Sequence, residues 1–262
     1  MTVLITGARG AIARSLLDQL RAAEIPHKIA SRTPLDGATV IDFTKPATLA
    51  AGLTGVDQIF LYAADGVSEL AAAARDAGVR RLVLVSSLSV EYPDPQDHPI
   101  AAHHFAAERA VRASGLEWTV LRPGAFAANS GFWADSIKSE RIARIAYPEA
   151  KLSSIHEADI ADVAFAALTE DGHQGKAYAL TGPESLSQRQ QAELIGQAIG
   201  RPITVEALDR SVAERFLPAP VLDLFESSQD EPAAVGPCSV DITGRPSRTF
   251  GQWAADHADD FR

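Results

Sequence analysis

The chain has 262 residues, a formal net charge of −10, 46% hydrophobic residues and a single cysteine, Cys238. That length holds one large domain, or a main domain with a smaller lobe, and the hydrophobic fraction is enough for a sizeable core. The acidic balance argues against nucleic acid or an anionic membrane surface as partner, no apolar run reaches membrane-spanning length, and one cysteine excludes an internal disulfide or a multi-cysteine metal site.

The first twenty residues organise the rest. Thr2–Thr6 is a short β-branched, apolar run with the composition of a buried parallel strand. Gly7-Ala8-Arg9-Gly10-Ala11-Ile12-Ala13 follows directly and leads into helical spacing of Ile12, Leu16, Leu17 and Leu20. A strand, a glycine turn and a helix start make a phosphate cradle. Gly7 permits the tight turn, Gly10 permits close approach of a pyrophosphate, and small Ala13 lets helix and strand pack closely. Because the N-terminus reads as this strand and not as a signal peptide, the expected location is the cytoplasm.

Strands and helices then alternate. Strands are expected at 27–30, 38–42, 57–62, 81–86 and 118–121, and helices at 46–51, 68–77 and 99–113. Such alternation implies βαβ units and a parallel sheet covered on both faces, with ligands beyond the carboxyl ends of the strands. This rule selects Gly7–Ile12, Ser31–Arg32, Asp42–Phe43, Ala63–Ala64, Ser86–Ser89 and Pro123–Phe126 as the rim. After Pro123 the alternation stops. A helix at 159–168 and a strand at 176–180 precede a tail that reads as helical from Ser187, with segments at 188–199, 211–216, 219–226 and 247–258. His156–Asp159 reads as a strand end followed by an Asp159 cap.

Several stretches carry a family resemblance. Thr6–Ala13 resembles the nucleotide loop of atypical short-chain dehydrogenases. Leu82–Ser87, Glu108–Gly124, Asp159–Ala164 and Leu180–Glu184 resemble its NmrA-like branch. The resemblance covers essentially the whole chain. It implies an α/β fold, a doubly wound parallel Rossmann sheet with a smaller, mainly helical C-terminal substrate lobe. Residues 1–124 and 155–181 would form the dinucleotide domain, and 125–154 with 182–262 the lobe. The family holds quinone, azo-dye and triphenylmethane reductases, and also regulators that bind the cofactor without turning it over. The implied function is an oxidoreductase passing hydride from NADPH to a conjugated small molecule (a quinone, enone or dye). The alternative is a non-catalytic NAD(P) sensor. Neither needs nucleic acid or membrane, and the assembly would be a monomer or homodimer.

NADP(H) is expected over NAD(H). An NAD-type second strand usually ends in Asp or Glu, which bonds the ribose 2′-hydroxyl, whereas this one ends Ala30-Ser31-Arg32-Thr33. Arg32 suits a 2′-phosphate and an adenine face, Ser31 adds a hydroxyl, and Arg9 points to the same phosphate or to solvent. Asp42-Phe43 resembles the family's acid-plus-apolar pair beside the adenine, or simply closes a strand. The usual catalytic Tyr and Lys, four residues apart, fall on Ile100 and His104. His104 is therefore the candidate to hold the ribose or relay a proton, unless it is a surface residue paired with Glu108. Ser86 is the expected serine near the nicotinamide, and Pro123 and Phe126 belong to the loop closing over it. Tyr62 and Tyr92 are further acid candidates. His98, His103, His104 and Glu108 lack the spacing of a metal set, and no Gly-x-Ser-x-Gly elbow occurs. Phe132 and Trp133 would stack on a flat ligand or fill the lobe's core, and Phe216, Leu217, Leu222, Leu224 and Phe225 would line a pocket or pack.

Overall fold

The computed structural model describes residues 1–236 and 239–262, so Cys238 lies outside the described residues. The chain forms two compact units, one of Met1–Pro123 with Glu157–Leu180 and one of Gly124–His156 with Thr181–Arg262.

The first unit begins with β1 (Val3–Ile5), α1 (Ala11–Ala22), β2 (His27–Ser31), β3 (Ala38–Val40), α2 (Pro46–Gly52) and β4 (Gln58–Tyr62). It continues through α3 (Val67–Asp76), β5 (Arg81–Val85), a 3₁₀ turn at Leu88–Glu91, α4 (Ala101–Arg112) and β6 (Glu117–Pro123). The chain passes into the second unit for α5 (Ala134–Glu140), β7 (Ile142–Ile145) and β8 (Lys151–Leu152), then returns for α6 (Glu157–Thr169) and β9 (Lys176–Leu180). The sheet order is β3-β2-β1-β4-β5-β6-β9, with every pairing parallel. This is the doubly wound arrangement, and the order reverses beside β1, where such sheets hold ligands.

The strands are apolar on both faces because both faces are covered. Leu4, Ile59, Leu61, Leu82, Leu84 and Val120 pack with the buried sides of α2, α3 and α4. On the opposite face α1 packs on α6, which also lies against β5 and β6. The buried stripe of α1 is Ile12, Ala13, Leu16, Leu17 and Leu20.

The second unit departs from the expected helical tail. β10 (Leu186–Ser187) pairs antiparallel with β8, α7 (Gln188–Ile199) follows, and β11 (Thr204–Ala207) runs parallel to β7. These strands are too short for alternation to mark, and their partners lie dozens of residues away, so pairing defines them. α8 (Arg210–Ala213) is a single turn, shorter than expected. α9 (Ala219–Ser227), α10 (Val240–Thr243) and α11 (Phe250–Asp256) complete the unit. α11 starts later than Ser247 because Thr249 and Gln252 form a capping box there. α6 starts at Glu157, which places the expected cap, Asp159, inside its first turn. Trp133 fills the core with Ile137, Phe250 and Trp253, while Phe132 is exposed. Leu222 packs with Ala146, Ala213 and Leu217, and Phe216 is exposed.

Arg81 braces the end of the sheet away from the rim. Its side chain is 2% exposed. Nε donates to Glu117 at 2.9 Å, and Nη1 donates to the carbonyls of Ala167 at 2.9 Å and Glu170 at 3.0 Å. Replacing it leaves C-terminal carbonyls of α6 without their donor. Arg81→Met is expected to lower the unfolding free energy by about 2–4 kcal/mol, read from urea melts.

Candidate dinucleotide site

The glycine loop leaves β1 with Gly7 in the left-handed region (φ +63°), where a side chain would be strained. The Gly10 N–H donates to the Gly7 carbonyl at 2.8 Å, closing the turn. Gly10 is the N-cap of α1, and no side chain caps that helix. Its first-turn N–H groups, around Ala11 and Ile12, therefore remain for an anion. The glycines also have a partner below. A Cβ on Gly7 would stand 2.5 Å from Cε2 of Tyr62, and one on Gly10 would stand 3.2 Å from the Gly7 carbonyl and 3.3 Å from the Tyr62 hydroxyl. Both positions thus serve the loop's own packing as well as any ligand. These features fit a dinucleotide: a cradle free of side chains, an uncapped helix start and a buried hydroxyl beneath.

At the end of β2, Arg9 turns toward Thr33, its Nη2 lying 3.4 Å from Oγ1. Arg9, Ser31, Arg32 and Thr33 so gather beside the loop. Arg32 is exposed, and no carboxylate pairs with it among the described residues. Asp42 is occupied locally. Oδ1 accepts from the Thr44 N–H (3.1 Å) and hydroxyl (2.7 Å), and Oδ2 pairs with Lys45 at 3.0 Å. Those bonds, Thr44's first, hold its pKa down to about 2. It closes the strand and opens α2. Phe43 is buried, and a Cβ on Gly66 would come within 2.6 Å of its carbonyl carbon, so the β4–α3 turn through Ala63 and Ala64 packs directly on it.

At the carboxyl end of β5 the structure changes the expected part of Ser86. Ser86 is 2% exposed, and its hydroxyl donates to Glu108 Oε1 at 2.8 Å. The same carboxylate accepts Arg122 Nε at 2.9 Å and Nη2 at 2.7 Å, and Arg112 Nη2 at 3.1 Å. Burial pushes the Glu108 pKa up, but hydrogen bonds from Arg122 and Ser86 outweigh it and hold the carboxyl below its usual range. Arg122 reaches on to Glu91 at 3.0 Å. At this end of β5 the hydroxyl with an uncommitted proton is Ser87. Its Oγ accepts from the Ser89 N–H (3.2 Å) and the Ser89 hydroxyl (3.0 Å), and no acceptor takes its own proton among the described residues. Ser86 shares the α4-facing side with Leu82 and Leu84, and that packing commits it to Glu108 while Ser87 is not so committed.

His104 does not pair with Glu108, whose oxygens are taken. It is half-buried, and its Nδ1 is buried without a partner. Burial first, and the neighbouring His103 second, lower its pKa, with Glu108 opposing. His104 is therefore neutral near pH 7. His103 is exposed and lies 3.7 Å from Asp65. His98 has a different task, since its Nδ1 accepts the N–H groups of Ile100 and Ala101 at the start of α4. Tyr92 is exposed and packs edge-on against His98. Tyr62 sits under the glycine loop, off the open rim. Pro123 ends β6 in the first unit, and Phe126 belongs to the second, bridged to Ile155.

Residues 7–171 match the sequence profile of a family described as NAD(P)H-binding. A reductase of (4-alkanoyl-5-oxo-2,5-dihydrofuran-3-yl)methyl phosphate from Streptomyces griseus is 38% identical, over 99% of this chain and 99% of that protein. An NAD(P)H azoreductase from Xenophilus azovorans is 31% identical, again over 99% of both. Among solved structures, the Citrobacter triphenylmethane reductase in complex with NADP(H) shares the fold with a TM-score of 0.79 and 18% identity, covering 98% of this chain and 100% of that one.

The state of His104 is open to direct measurement. Its folded pKa lies below the unfolded value near 6.5, so unfolding takes up a proton as pH falls through that region. The stabilising contribution of the neutral ring is complete above about pH 6.5 and declines below it. Histidine NMR titration should place His104 below the ordinary histidine value near 6.5. His104→Phe should flatten the fall in stability on the acid side.

Proposed function

This chain belongs to the NAD(P)H-binding family, with the NmrA-like, atypical short-chain reductases, and we propose that it reduces a conjugated small molecule with NADPH. The reading rests on one observation. By the family resemblance the Tyr and Lys of an alcohol–ketone enzyme of this kind fall on Ile100 and His104, and the His104 ring is held neutral by burial with Nδ1 unpartnered. A proton relay of the usual type has no donor there, which favours acceptors that need none.

The bound dinucleotide supplies a hydride. The protein's part is binding and orientation. Gly7, Gly10, Ala11 and Ile12 hold the pyrophosphate on the loop and helix start. Arg9, Ser31 and Arg32 take the 2′-phosphate, and Phe43, Ala63 and Ala64 flank the adenosine. His104 accepts a ribose hydroxyl at Nδ1, a task that suits a neutral ring better than proton donation does. Ser87 offers its proton at the carboxyl end of β5, in the place first expected of Ser86. Pro123, at the end of β6, stands on the nicotinamide side.

Conjugation is what removes the need for a side-chain acid. When hydride adds to the far carbon of an enone or quinone, the displaced electron pair runs to the carbonyl oxygen, and water supplies the proton. The Streptomyces griseus relative is named for reducing a ring whose double bond is conjugated with two carbonyl groups. An acceptor of that class, or a quinone or azo dye, is the substrate we propose.

Arg32→Ala should weaken NADPH by about 1–3 kcal/mol, the scale of a hydrogen bond between charged groups, and leave NADH nearly unchanged; equal losses would remove Arg32 from the 2′-phosphate. The chain with NADPH should reduce members of a quinone, enone and azo-dye panel. Tight cofactor binding without oxidation by any of them would instead identify a sensor. His104→Phe should raise the cofactor Kd more than it lowers kcat. A drop in kcat of about 10²–10⁴-fold at unchanged Kd would make His104 the acid and overturn its ribose role.

A further inference from the structure

The mechanism leaves one buried polar group unused. Tyr62 ends β4 on the sheet face covered by α1. Its ring meets Phe60 edge-on at 5.3 Å and underlies both loop glycines. Its hydroxyl is buried and makes no hydrogen bond of normal geometry among the described residues. The Ala13 N–H, in the first turn of α1, approaches the oxygen without closing one. Burial pushes the phenol pKa up to about 12, with Ala13 and the Arg14 charge only partly offsetting it, so the hydroxyl keeps its proton at neutral pH. An unpaired buried hydroxyl is costly, and a fold that retains one without gain is uncommon. Here the group sits directly beneath the uncapped helix start. Gly7 and Gly10 present no side chain between it and an anion on the loop.

We infer that Tyr62 belongs to the phosphate cradle: its Oη donates a hydrogen bond to the dinucleotide's pyrophosphate, directly or across one water. This rests on the cofactor reading above. The ring supports the loop from below, and the hydroxyl finds its missing acceptor only when the anion arrives. Apo stability and cofactor affinity are thereby set against each other in one atom.

Tyr62→Phe separates the two tasks, since it keeps the ring and removes the hydroxyl. Calorimetric titration of the full chain with NADP⁺ should show the Kd rising about tenfold, the scale of a charge-assisted hydrogen bond. Binding of 2′-AMP, which has no pyrophosphate, should stay the same. The melting temperature of the apo variant should be unchanged or higher, because an unsatisfied group has gone. An unchanged Kd for NADP⁺ in the variant would overturn the role of Tyr62 alone. Equal weakening of NADP⁺ and 2′-AMP, or a lower apo melting temperature, would make the hydroxyl a structural brace and overturn it too. A wild-type chain that bound no NADP⁺ would overturn the cofactor reading, and this inference with it.

Discussion

A carboxylate that is 2% exposed has lost nearly all its water, and it stays ionised only if the protein returns equivalent hydrogen bonds. Glu108 receives four, from Ser86, Arg112 and twice from Arg122. Each donor comes from a different place. Ser86 follows β5, Arg122 lies in β6, and Arg112 ends α4. Satisfying one buried charge therefore locks the carboxyl ends of two central strands to the helix that carries His104. Arg122 extends the lock to Glu91, in the turn that follows Ser87. The arrangement is cooperative and vulnerable, because removing any one donor leaves the others facing a less satisfied charge.

The opposite arm of the site is built differently. Around the glycine loop the groups proposed to bind are backbone N–H groups and exposed cations. Arg9 and Arg32 sit at the surface beside β2, where solvent screens them from each other until an anion arrives. Asp42 is held locally by Thr44 and Lys45. The region proposed to meet the adenosine presents Arg9 and Arg32, although the whole chain carries −10. The net charge constrains partners, and the local arrangement decides the ligand.

Between these arms the chemistry is sparse. Ile100 is the N-cap of α4 beside His98, and His104 on the same helix is held neutral by burial. Under the proposed reading, such residues orient a cofactor more readily than they move protons. That agrees with relatives named for reducing a conjugated lactone and azo compounds, since delocalised acceptors take up hydride without an acid at hand.

What the sequence determined by itself was whatever depends on neighbours along the chain. The alternation of strands and helices from Thr2 to Pro123 is local and strongly periodic, so the parallel sheet and its rim were legible. So was the strand–glycine–helix unit, whose signal lies in the consecutive residues from Thr2 to Ala13. The absence of an acid after Ala30 and of a tyrosine at position 100 could also be read directly. The tertiary structure alone decided matters that turn on distant partners. Ser86 and Ser87 are adjacent and chemically identical, and only packing on α4 commits the first to Glu108 and leaves the second its proton. β7 and β11 are defined by pairing across about sixty residues, beyond any local signal. Tyr62 looked like one more candidate acid until the fold placed its ring beneath Gly7. Its environment is made by β1, α1 and β4 together, and side-chain chemistry in a buried site follows the environment more than the residue type.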